Sequence, residues 1–390
     1  MKIGFVISIL ALLFTQKNYA QQFDYKLFVE EFTSETYLGR GYVNDGAIKA
    51  AKKVELEFTE LGLVPIESEF LQEFHHTVNT FPKTPKYYCD SAWVAGRDFI
   101  VHPFSGSGKK SWEDIIVLDS ATYALHAIEK RDLLPYLNSF AFGEKAVVLP
   151  ESKLTWSVAG QQLDIPVIQA LKPNAKCKAK LKIKAQLQDI TSYNVVGKIK
   201  GTGGSDSTFY ITAHYDHLGA MGKVFIPGAN DNAAGVAMLI DLAHKIKANP
   251  LKYDVVFIAF AGEEVGLLGS KYYSENPMTP LGEIKMLINL DLVGTGSDGA
   301  TVVNATEFVD DFKKLSNINN SKKYLTKINA RGSAANSDHY WFYKKDVPSF
   351  FIYTQGGPKA YHDINDIAKN LPYTSFDALQ SLVLDFLNTY

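Results

Sequence analysis

Apolar and polar residues alternate in a regular way along the second half of the chain. Nearly continuous apolar runs occupy residues 209–213, 255–261, 286–292 and 349–353. A helical pattern covers residues 232–247, with apolar positions three and four residues apart. Apolar strands that alternate with helices are typical of a parallel sheet covered on both faces. The pattern therefore predicts an α/β fold with a mostly parallel central sheet flanked by helices.

The first half of the chain has a different texture. Residues 23–63 have a helical pattern in two parts, the second of which covers residues 45–61 and ends at Gly62. Residues 81–189 are rich in aromatic residues, turns and short apolar runs, which predicts a smaller, mainly β inserted domain. We therefore expect four segments: a signal peptide (1–20), the first part of the main domain (21–80), the inserted domain (81–189) and the rest of the main domain (190–390).

The first twenty residues are typical of a secretion signal. Lys2 supplies a positive charge, residues 3–14 form an apolar run, and Ala20 precedes the predicted cut. The run is shorter than the roughly 20 residues that span a bilayer. We expect a secreted or periplasmic protein with no stable membrane insertion after cleavage, and an uncleaved membrane anchor is the alternative.

Cysteine occurs only at Cys89 and Cys177. An exported compartment permits a disulfide between them, whereas two isolated buried thiols are the other interpretation, and both stay open. Neither cysteine has a neighbouring Cys or His at metal-ligand spacing. Any metal must therefore be held by imidazole and carboxylate groups.

Composition narrows the function. The chain has 46% hydrophobic and 21% charged residues and a formal net charge of −2. This balance is typical of a globular protein and argues against one that binds nucleic acid or an anionic membrane. Lysines alternate with apolar residues over 176–184. That alternation predicts an edge strand with outward lysines, and a polyanion site is the alternative.

Acidic and imidazole side chains follow the predicted strands of the second half. In an α/β sheet, ligands bind at the carboxyl ends of the strands, so these side chains are expected to meet. Each cluster alone has an ordinary explanation, such as a helix cap or a hydrogen-bonded strand end. The clusters are His214-Tyr215-Asp216-His217, Asn230-Asp231-Asn232, Gly262-Glu263-Glu264, Asn289-Leu290-Asp291 and Tyr361-His362-Asp363.

Gathered carboxylates and imidazoles repel or desolvate one another unless cations hold them. Mixed imidazole and carboxylate ligands favour zinc, with manganese or cobalt as alternatives. Two histidines and three carboxylates are too many for one open catalytic zinc and fit two ions with a shared carboxylate. Because Glu263 and Glu264 are adjacent, one can ligate while the other acts as a general base.

These motifs, in this order and spacing, resemble the secreted bacterial zinc aminopeptidases with co-catalytic metal sites. The resemblance covers residues 190–390, with a fainter echo in Leu38-Gly39-Arg40. It implies two Zn²⁺ per chain, and it implies that the inserted segment is similar to a protease-associated domain. Peptides with a free N-terminus are the implied substrates.

The resemblance also implies a role for each residue. His214 and Asp291 hold one zinc, Glu264 and His362 hold the other, and Asp231 bridges both. Glu263 accepts the proton of the attacking water and delivers it to the leaving amine. Asp216 orients His214, and Tyr361 donates a hydrogen bond to the oxyanion. The chain departs from the family pattern at Asp363, which adds negative charge after His362.

Other functions stay open. Glutaminyl cyclisation and di- or carboxypeptidase activity occur on similar folds, and a receptor-like protein without catalysis is a further alternative. A serine hydrolase is disfavoured because no Gly-x-Ser-x-Gly motif occurs. The segment Asn336-Ser337-Asp338-His339 resembles a family segment near the substrate, and a structural role for it is equally open. The preferred N-terminal residue and the oligomeric state do not follow from the sequence.

Overall fold

The computed structural model describes residues 23–118 and 144–390. The predicted signal peptide, residues 1–20, lies outside the described residues, as does part of the predicted inserted domain. The described helices are α1 (Tyr25–Phe32), α2 (Gly46–Leu61), α3 (Ala234–Ala248), α4 (Leu268–Glu275), α5 (Val309–Lys322), α6 (His339–Tyr343) and α7 (Phe376–Leu387). None of these helices is long and apolar enough to cross a membrane.

The central sheet has eight strands in the order β1-β10-β14-β11-β15-β18-β16-β17. Its four middle strands run parallel, and antiparallel pairings join them to both margins. These strands are β1 (Leu71–Thr80), β10 (Gln186–Ile199), β11 (Thr208–His214), β14 (Asp254–Phe260), β15 (Ile284–Leu290), β16 (Ala300–Val303), β17 (Ile328–Ala330) and β18 (Ser349–Thr354). The predicted fold class is confirmed.

Helices cover both faces of this sheet, as the apolar strands require. Alternate residues of β11 show the division: Phe209 and Ile211 pack with α1, α2, α3 and α7, whereas Tyr210 packs against Tyr273 of α4 and Phe342 of α6. Helix α2 ends at Gly62, whose φ of +69° gives the left-handed turn that closes a helix. The core of the main domain therefore lies in two layers around one sheet.

Two four-stranded sheets form the smaller region, within residues 86–183. One has the order β3-β2-β9-β5 and the other β4-β8-β7-β6. Their strands are β2 (Lys86–Cys89), β3 (Ser91–Trp93), β4 (Phe99–Val101), β5 (Gly108–Ser111), β6 (Ile115–Val117), β7 (Ala146–Glu151), β8 (Val167–Leu171) and β9 (Lys180–Ile183). A short hairpin, β12 (Ala220–Met221) with β13 (Val224–Phe225), follows β11.

Two details of the smaller region bear on the sequence analysis. Cys89 and Cys177 form a disulfide, with Cα atoms 5.3 Å apart, which decides between the two alternatives. The prediction of an edge strand in the lysine-rich segment is wrong. Strand β9 covers only Lys180–Ile183 and pairs with β2 on one side and β5 on the other. Its lysines face outward because one face of this sheet is exposed.

Candidate metal centre and its surroundings

The order of the parallel strands places a site beside β11. The chain passes from β11 to β14 on one side of it and then to β15 on the other. The carboxyl ends of strands at such a reversal form a crevice where ligands bind. His214 is the last residue of β11, and Asp291 follows β15 directly. The two side chains therefore enter the crevice from adjacent strands.

The five predicted ligands meet in this crevice. Asp231 lies at the centre: its Oδ1 is 3.4 Å from Nε2 of His214, and its Oδ2 is 3.1 Å from Nε2 of His362. His214 Nε2 is also 3.4 Å from Oδ1 of Asp291. His362 Nε2 is also 3.4 Å from Oε2 of Glu264. The arrangement is two sets of groups joined by one shared carboxylate.

Backbone carbonyls fix the orientation of both histidines. Nδ1 of His214 lies 3.0 Å from the carbonyl oxygen of Asp216, and Nδ1 of His362 lies 3.0 Å from that of Trp156. A carbonyl only accepts, so each Nδ1 carries a proton and each Nε2 is the atom left to present a lone pair to a cation. This is the tautomer that a metal ligand needs.

The predicted role of Asp216 takes a different form in the structure. Its carboxylate lies 3.8 Å from His214, beyond hydrogen-bond distance. It accepts hydrogen bonds from the backbone N–H groups of Glu263 (3.2 Å) and Glu264 (3.4 Å) and from the hydroxyl of Tyr42. Asp216 therefore holds the turn that carries the two glutamates. Gly262, with a φ of +68°, makes this turn possible directly after β14.

Burial and neighbouring charges shift the pKa values of the side chains in this cluster. Burial alone would lower the pKa of His362, but the carboxylates of Glu264 and Asp231 outweigh it and raise the pKa to about 9. Burial would raise the pKa of Asp231, whereas the surrounding histidines hold it well below its ordinary value. Burial, with the neighbouring carboxylates, raises the pKa of Glu263 well above its ordinary value. The cluster concentrates acidic charge that cations would stabilise.

Three residues outside the predicted set also support the site. His217 is fully buried, and its Nδ1 lies 2.6 Å from Oε1 of Glu264. Asp366 accepts the backbone N–H groups of Asn230 and Asp231 at 2.9 and 3.1 Å. His217 and Asp366 stand inside or beside the motifs that carry the ligands, so the sequence offered a signal for them.

Arg40 is the third of these residues and is completely buried. Burial lowers its pKa to about 10, so the guanidinium stays charged at neutral pH. It donates hydrogen bonds to carbonyl oxygens next to His214, in the loop that bears Asp231 and at the end of α1. The acceptors are Tyr215 (2.8 Å), Pro227 (2.7 Å), Gly228 (2.7 Å), Asp231 (3.2 Å) and Phe32 (3.4 Å).

The segment 336–339 contributes both to the cavity and to the support of a ligand. Ser337 donates a hydrogen bond to Oδ2 of Asp291 (2.8 Å) and accepts one from Asn289 (2.7 Å). Asp338 is buried beside the cluster, and burial raises its pKa to about 7. Asn336 lines the cavity above the ligands. Both interpretations of this segment therefore have a structural basis.

Tyr361 and Asp363, the two neighbours of His362 in the chain, differ in their surroundings. Tyr361 is 43% exposed, and its ring stacks on the imidazole of His362 with centroids 3.9 Å apart. Asp363 turns away from the ligands: it accepts the backbone N–H of Asn365 at 2.8 Å and lies 3.9 Å from Nζ of Lys153. Its negative charge is therefore directed at the inserted region.

Comparison with known families identifies the region that carries the ligands. The family model "Peptidase family M28" matches residues 194–387, which contain all five predicted ligands. Residues 194–387 belong to peptidase family M28. The family suspected from the motifs is thereby confirmed, and Arg40 and Trp156 lie before the matched M28 region.

Individual M28 relatives agree with this assignment. The chain is 29% identical over 286 residues to "Aminopeptidase YwaD" of Bacillus subtilis, an alignment that covers 65% of this chain and 61% of that protein. Among solved structures, it resembles BSAP, "a zinc aminopeptidase from Bacillus subtilis", with a TM-score of 0.68, 21% identity and coverage of 94% and 93%. An aminopeptidase from an Aneurinibacillus strain gives a TM-score of 0.63, 19% identity and coverage of 94% and 95%. The two structures show the M28 fold.

Proposed function

We propose that this M28 protein is a metal-dependent aminopeptidase that releases N-terminal residues from peptides. The observation that carries the proposal is the convergence of five side chains with nitrogen or oxygen donors, with Asp231 at their centre and Glu263 in the same cavity. The names of the relatives, an aminopeptidase and a zinc aminopeptidase, support the same reaction.

The donor set fits two zinc ions. His214, Asp231 and Asp291 offer ligand atoms that lie within 4.8 Å of one another. Oδ1 of Asp291 is buried and has no hydrogen-bond partner among the described residues, which suits an atom reserved for a cation. Asp231, Glu264 and His362 form the second set. Two ions bound there supply Lewis-acid polarisation of the scissile carbonyl and lower the pKa of water.

His217 is the other imidazole that could complete the second set, since it also lies near Asp231 and Glu264. Its Nδ1 is already engaged with Glu264, and its Nε2 has no partner among the described residues. His362 instead shares the arrangement of His214, with Nδ1 on a carbonyl and Nε2 toward two carboxylates. We therefore assign His362 as the ligand and His217 as the residue that orients Glu264.

The remaining residues perform the proton chemistry. Glu263 takes a proton from the attacking water and passes it to the leaving amine. Burial raises its pKa above the ordinary value, which favours acceptance of a proton from water. Bound cations would lower this pKa. The Asp216 carboxylate holds Glu263 in place by accepting the backbone N–H of Glu263. Tyr361 lines the same cavity and is positioned to donate to the oxyanion.

The cavity favours an N-terminal residue over an internal peptide segment. It measures about 300 Å³, the lower end of the range of roughly 300–1,000 Å³ for small-molecule sites. The carboxylates and proposed metal sites in its lining offer partners for the substrate's α-amine, which an internal peptide bond lacks. We infer that the free N-terminus is the feature that the enzyme recognises.

The same proposal places the enzyme outside the cytoplasm. The disulfide between Cys89 and Cys177 supports an oxidising compartment, because such bonds are rare in cytosolic proteins. Export through the predicted signal 1–20 agrees with this. Fractionation of cells that express the full chain, followed by thiol labelling, tests both points: the protein is expected in the periplasm or medium with no reactive thiol.

The deciding experiment compares the mature protein with Glu263→Gln. We expect close to two zinc ions per chain in both by elemental analysis, and release of the first residue from peptides by the native protein only. A general base contributes about 10²–10⁴-fold, so kcat should fall by that factor in Glu263→Gln. Glu60→Gln, an exposed substitution in α2, is the matched control and should keep full activity.

Other outcomes would count against the proposal. Full metal content with cyclisation of N-terminal glutamine, or with release from the carboxyl end, would replace the reaction. Full metal content with no product from any peptide would indicate a binding protein. Activity that survives complete chelation would exclude the mechanism.

A further inference from the structure

Arginine is rare in this chain, and its positions differ in their partners. The sequence has Arg40, Arg97, Arg131 and Arg331, of which Arg131 lies outside the described residues. Arg40 is enclosed by backbone carbonyls. Arg97 pairs with Asp98 at 2.9 Å. Among the residues that the structure describes, no carboxylate lies within 4.0 Å of the Arg331 guanidinium.

Arg331 lines the cavity above the proposed metal ligands. The only hydrogen bond from its guanidinium to a described residue runs from Nη1 to the hydroxyl of Tyr353, at 3.3 Å. A guanidinium carries five N–H donors in a planar fork that matches the two oxygens of a carboxylate. The donors that Tyr353 leaves free are therefore available to a carboxylate in the cavity.

Aromatic and polar groups line the cavity together with Arg331. Phe351 and Tyr353 are two residues apart on β18, so both side chains stand on the same face of the sheet, with ring centroids 5.3 Å apart. Asn336 lines the same cavity. The cavity therefore holds carboxylates and one guanidinium, and no described carboxylate forms an ion pair with that guanidinium.

A second cavity provides a separate place for the rest of a peptide. It measures about 460 Å³ and lies along residues 354–361. The two cavities share Leu292 and Tyr361, so they meet beside the ligands. A peptide can therefore place its first residue in the cavity of Arg331 and extend its remaining residues through the other.

We propose that the preferred substrates are peptides whose N-terminal residue is glutamate or aspartate, with Arg331 binding the side-chain carboxylate. The proposal rests on the proposed aminopeptidase function and names its substrate class. Groups at the metal centre bind the α-amine, and the Arg331 guanidinium binds the side chain. An apolar first residue leaves the guanidinium without its partner, and a basic one is repelled by it.

The test compares p-nitroanilides of glutamate, glutamine and leucine. Glutamate and glutamine have the same shape, so the ratio of their kcat/KM values isolates the carboxylate charge. We expect glutamate to exceed glutamine by about tenfold or more, since a charge-assisted hydrogen bond contributes a factor of that size. Arg331→Gln should remove this preference, so that glutamate and glutamine are cleaved with similar kcat/KM values.

Arg97→Gln is the matched control. It makes the same chemical change at an exposed arginine in the inserted region and should leave all three rates unchanged. Binding provides a second readout: calorimetry should show that the native protein binds free L-glutamate more tightly than L-glutamine, and that Arg331→Gln loses this difference.

The contrary outcomes separate the two proposals. Equal rates on glutamate, glutamine and leucine would overturn the substrate class and leave the aminopeptidase intact. If Arg331→Gln only reduces the discrimination between dipeptides with free and amidated C-termini, Arg331 binds the terminal carboxylate and the N-terminal assignment is wrong. If no substrate is cleaved but glutamate selectivity persists in calorimetry, the carboxylate pocket stands and the peptidase proposal fails.

Discussion

The region matched by the M28 family and the region before it make different contributions to the site. Residues 194–387 supply all five proposed ligands and Glu263. Residues before 194 supply none of them, yet Arg40, Tyr42 and Trp156 contact the loops that carry them. The ligands thus come from one region and much of their support from the other. Contacts from both regions therefore hold the loops that carry the proposed ligands.

The largest expected effect comes from Arg40, which supports the site from outside the matched region. Arg40→Leu leaves several buried carbonyl oxygens without a donor, at about 1–3 kcal/mol each. We expect the free energy of unfolding to fall by at least about 3 kcal/mol in urea titrations, and zinc content to fall with it. Arg97→Leu, at an exposed position, should change stability by less than about 0.5 kcal/mol.

If Arg40→Leu kept native stability and two zinc ions, the support that Arg40 gives to the ligand loops would be unnecessary. It would mean that the loops of His214 and Asp231 keep their shape through α3 and the central sheet alone. Arg40→Lys refines the result, because lysine keeps the charge but has fewer donors. A value for Arg40→Lys between those of the native protein and Arg40→Leu would show that the fork geometry matters.

The sequence predicted the ligand region well and the supporting region poorly, and the reason is physical. His214, Glu264 and Asp291 stand at the ends of apolar strands, so periodicity alone places them at one edge of the sheet. Arg40 acts on backbone carbonyls, and such acceptors have no side-chain signature in sequence. Trp156 acts through its own backbone, which any residue could provide.

The lysine-rich strand shows a related limit. Alternation identified the outward lysines of β9 correctly, because one face of the sheet is exposed. Alternation reports only which face of a sheet is exposed. It contains no information on the number of neighbouring strands, so the edge position was wrong.

A second prediction concerns the stability of the smaller region (residues 86–183) at acid pH. His102 is buried beside β4, and burial lowers its pKa to about 4 from an ordinary 6.5. The unfolded chain therefore binds a proton that the folded chain excludes as the pH falls from 6.5 to 4. Stability is fully present above pH 6.5 and falls below it, by up to about 3 kcal/mol at pH 4.

His102→Asn removes this titration and keeps an acceptor for the N–H of Phe104. Unfolding followed by tryptophan fluorescence between pH 7.5 and 4 should give a shallower loss of stability in the variant than in the native protein. Three of the four tryptophans, Trp93, Trp112 and Trp156, lie in the inserted region, so fluorescence mainly follows that region. Parallel pH profiles for the two proteins would show that His102 is already accessible to protons.

The smallest expected effect is also the most specific, because it concerns one contact between the two regions. Trp156 makes two hydrogen bonds with His362 through its backbone. Its backbone N–H donates to the carbonyl of His362 at 2.9 Å, and its carbonyl accepts Nδ1–H of His362 at 3.0 Å. His362 has a φ of +54°, a backbone conformation that is uncommon for residues other than glycine and needs support from the surroundings. The smaller region therefore helps to determine how one proposed ligand faces the candidate metal site.

Trp156→Pro removes the N–H and weakens this contact without changing any ligand. Loss of a group that orients a ligand typically costs 10–100-fold in metal affinity, so chelator competition should show one zinc ion bound more weakly by about that factor. The ion held by His214 and Asp291 should keep its affinity. Trp156→Phe retains both backbone hydrogen bonds and is the control. An equal loss in Trp156→Phe would show that packing of the indole ring, and not the backbone contact, holds His362 in place.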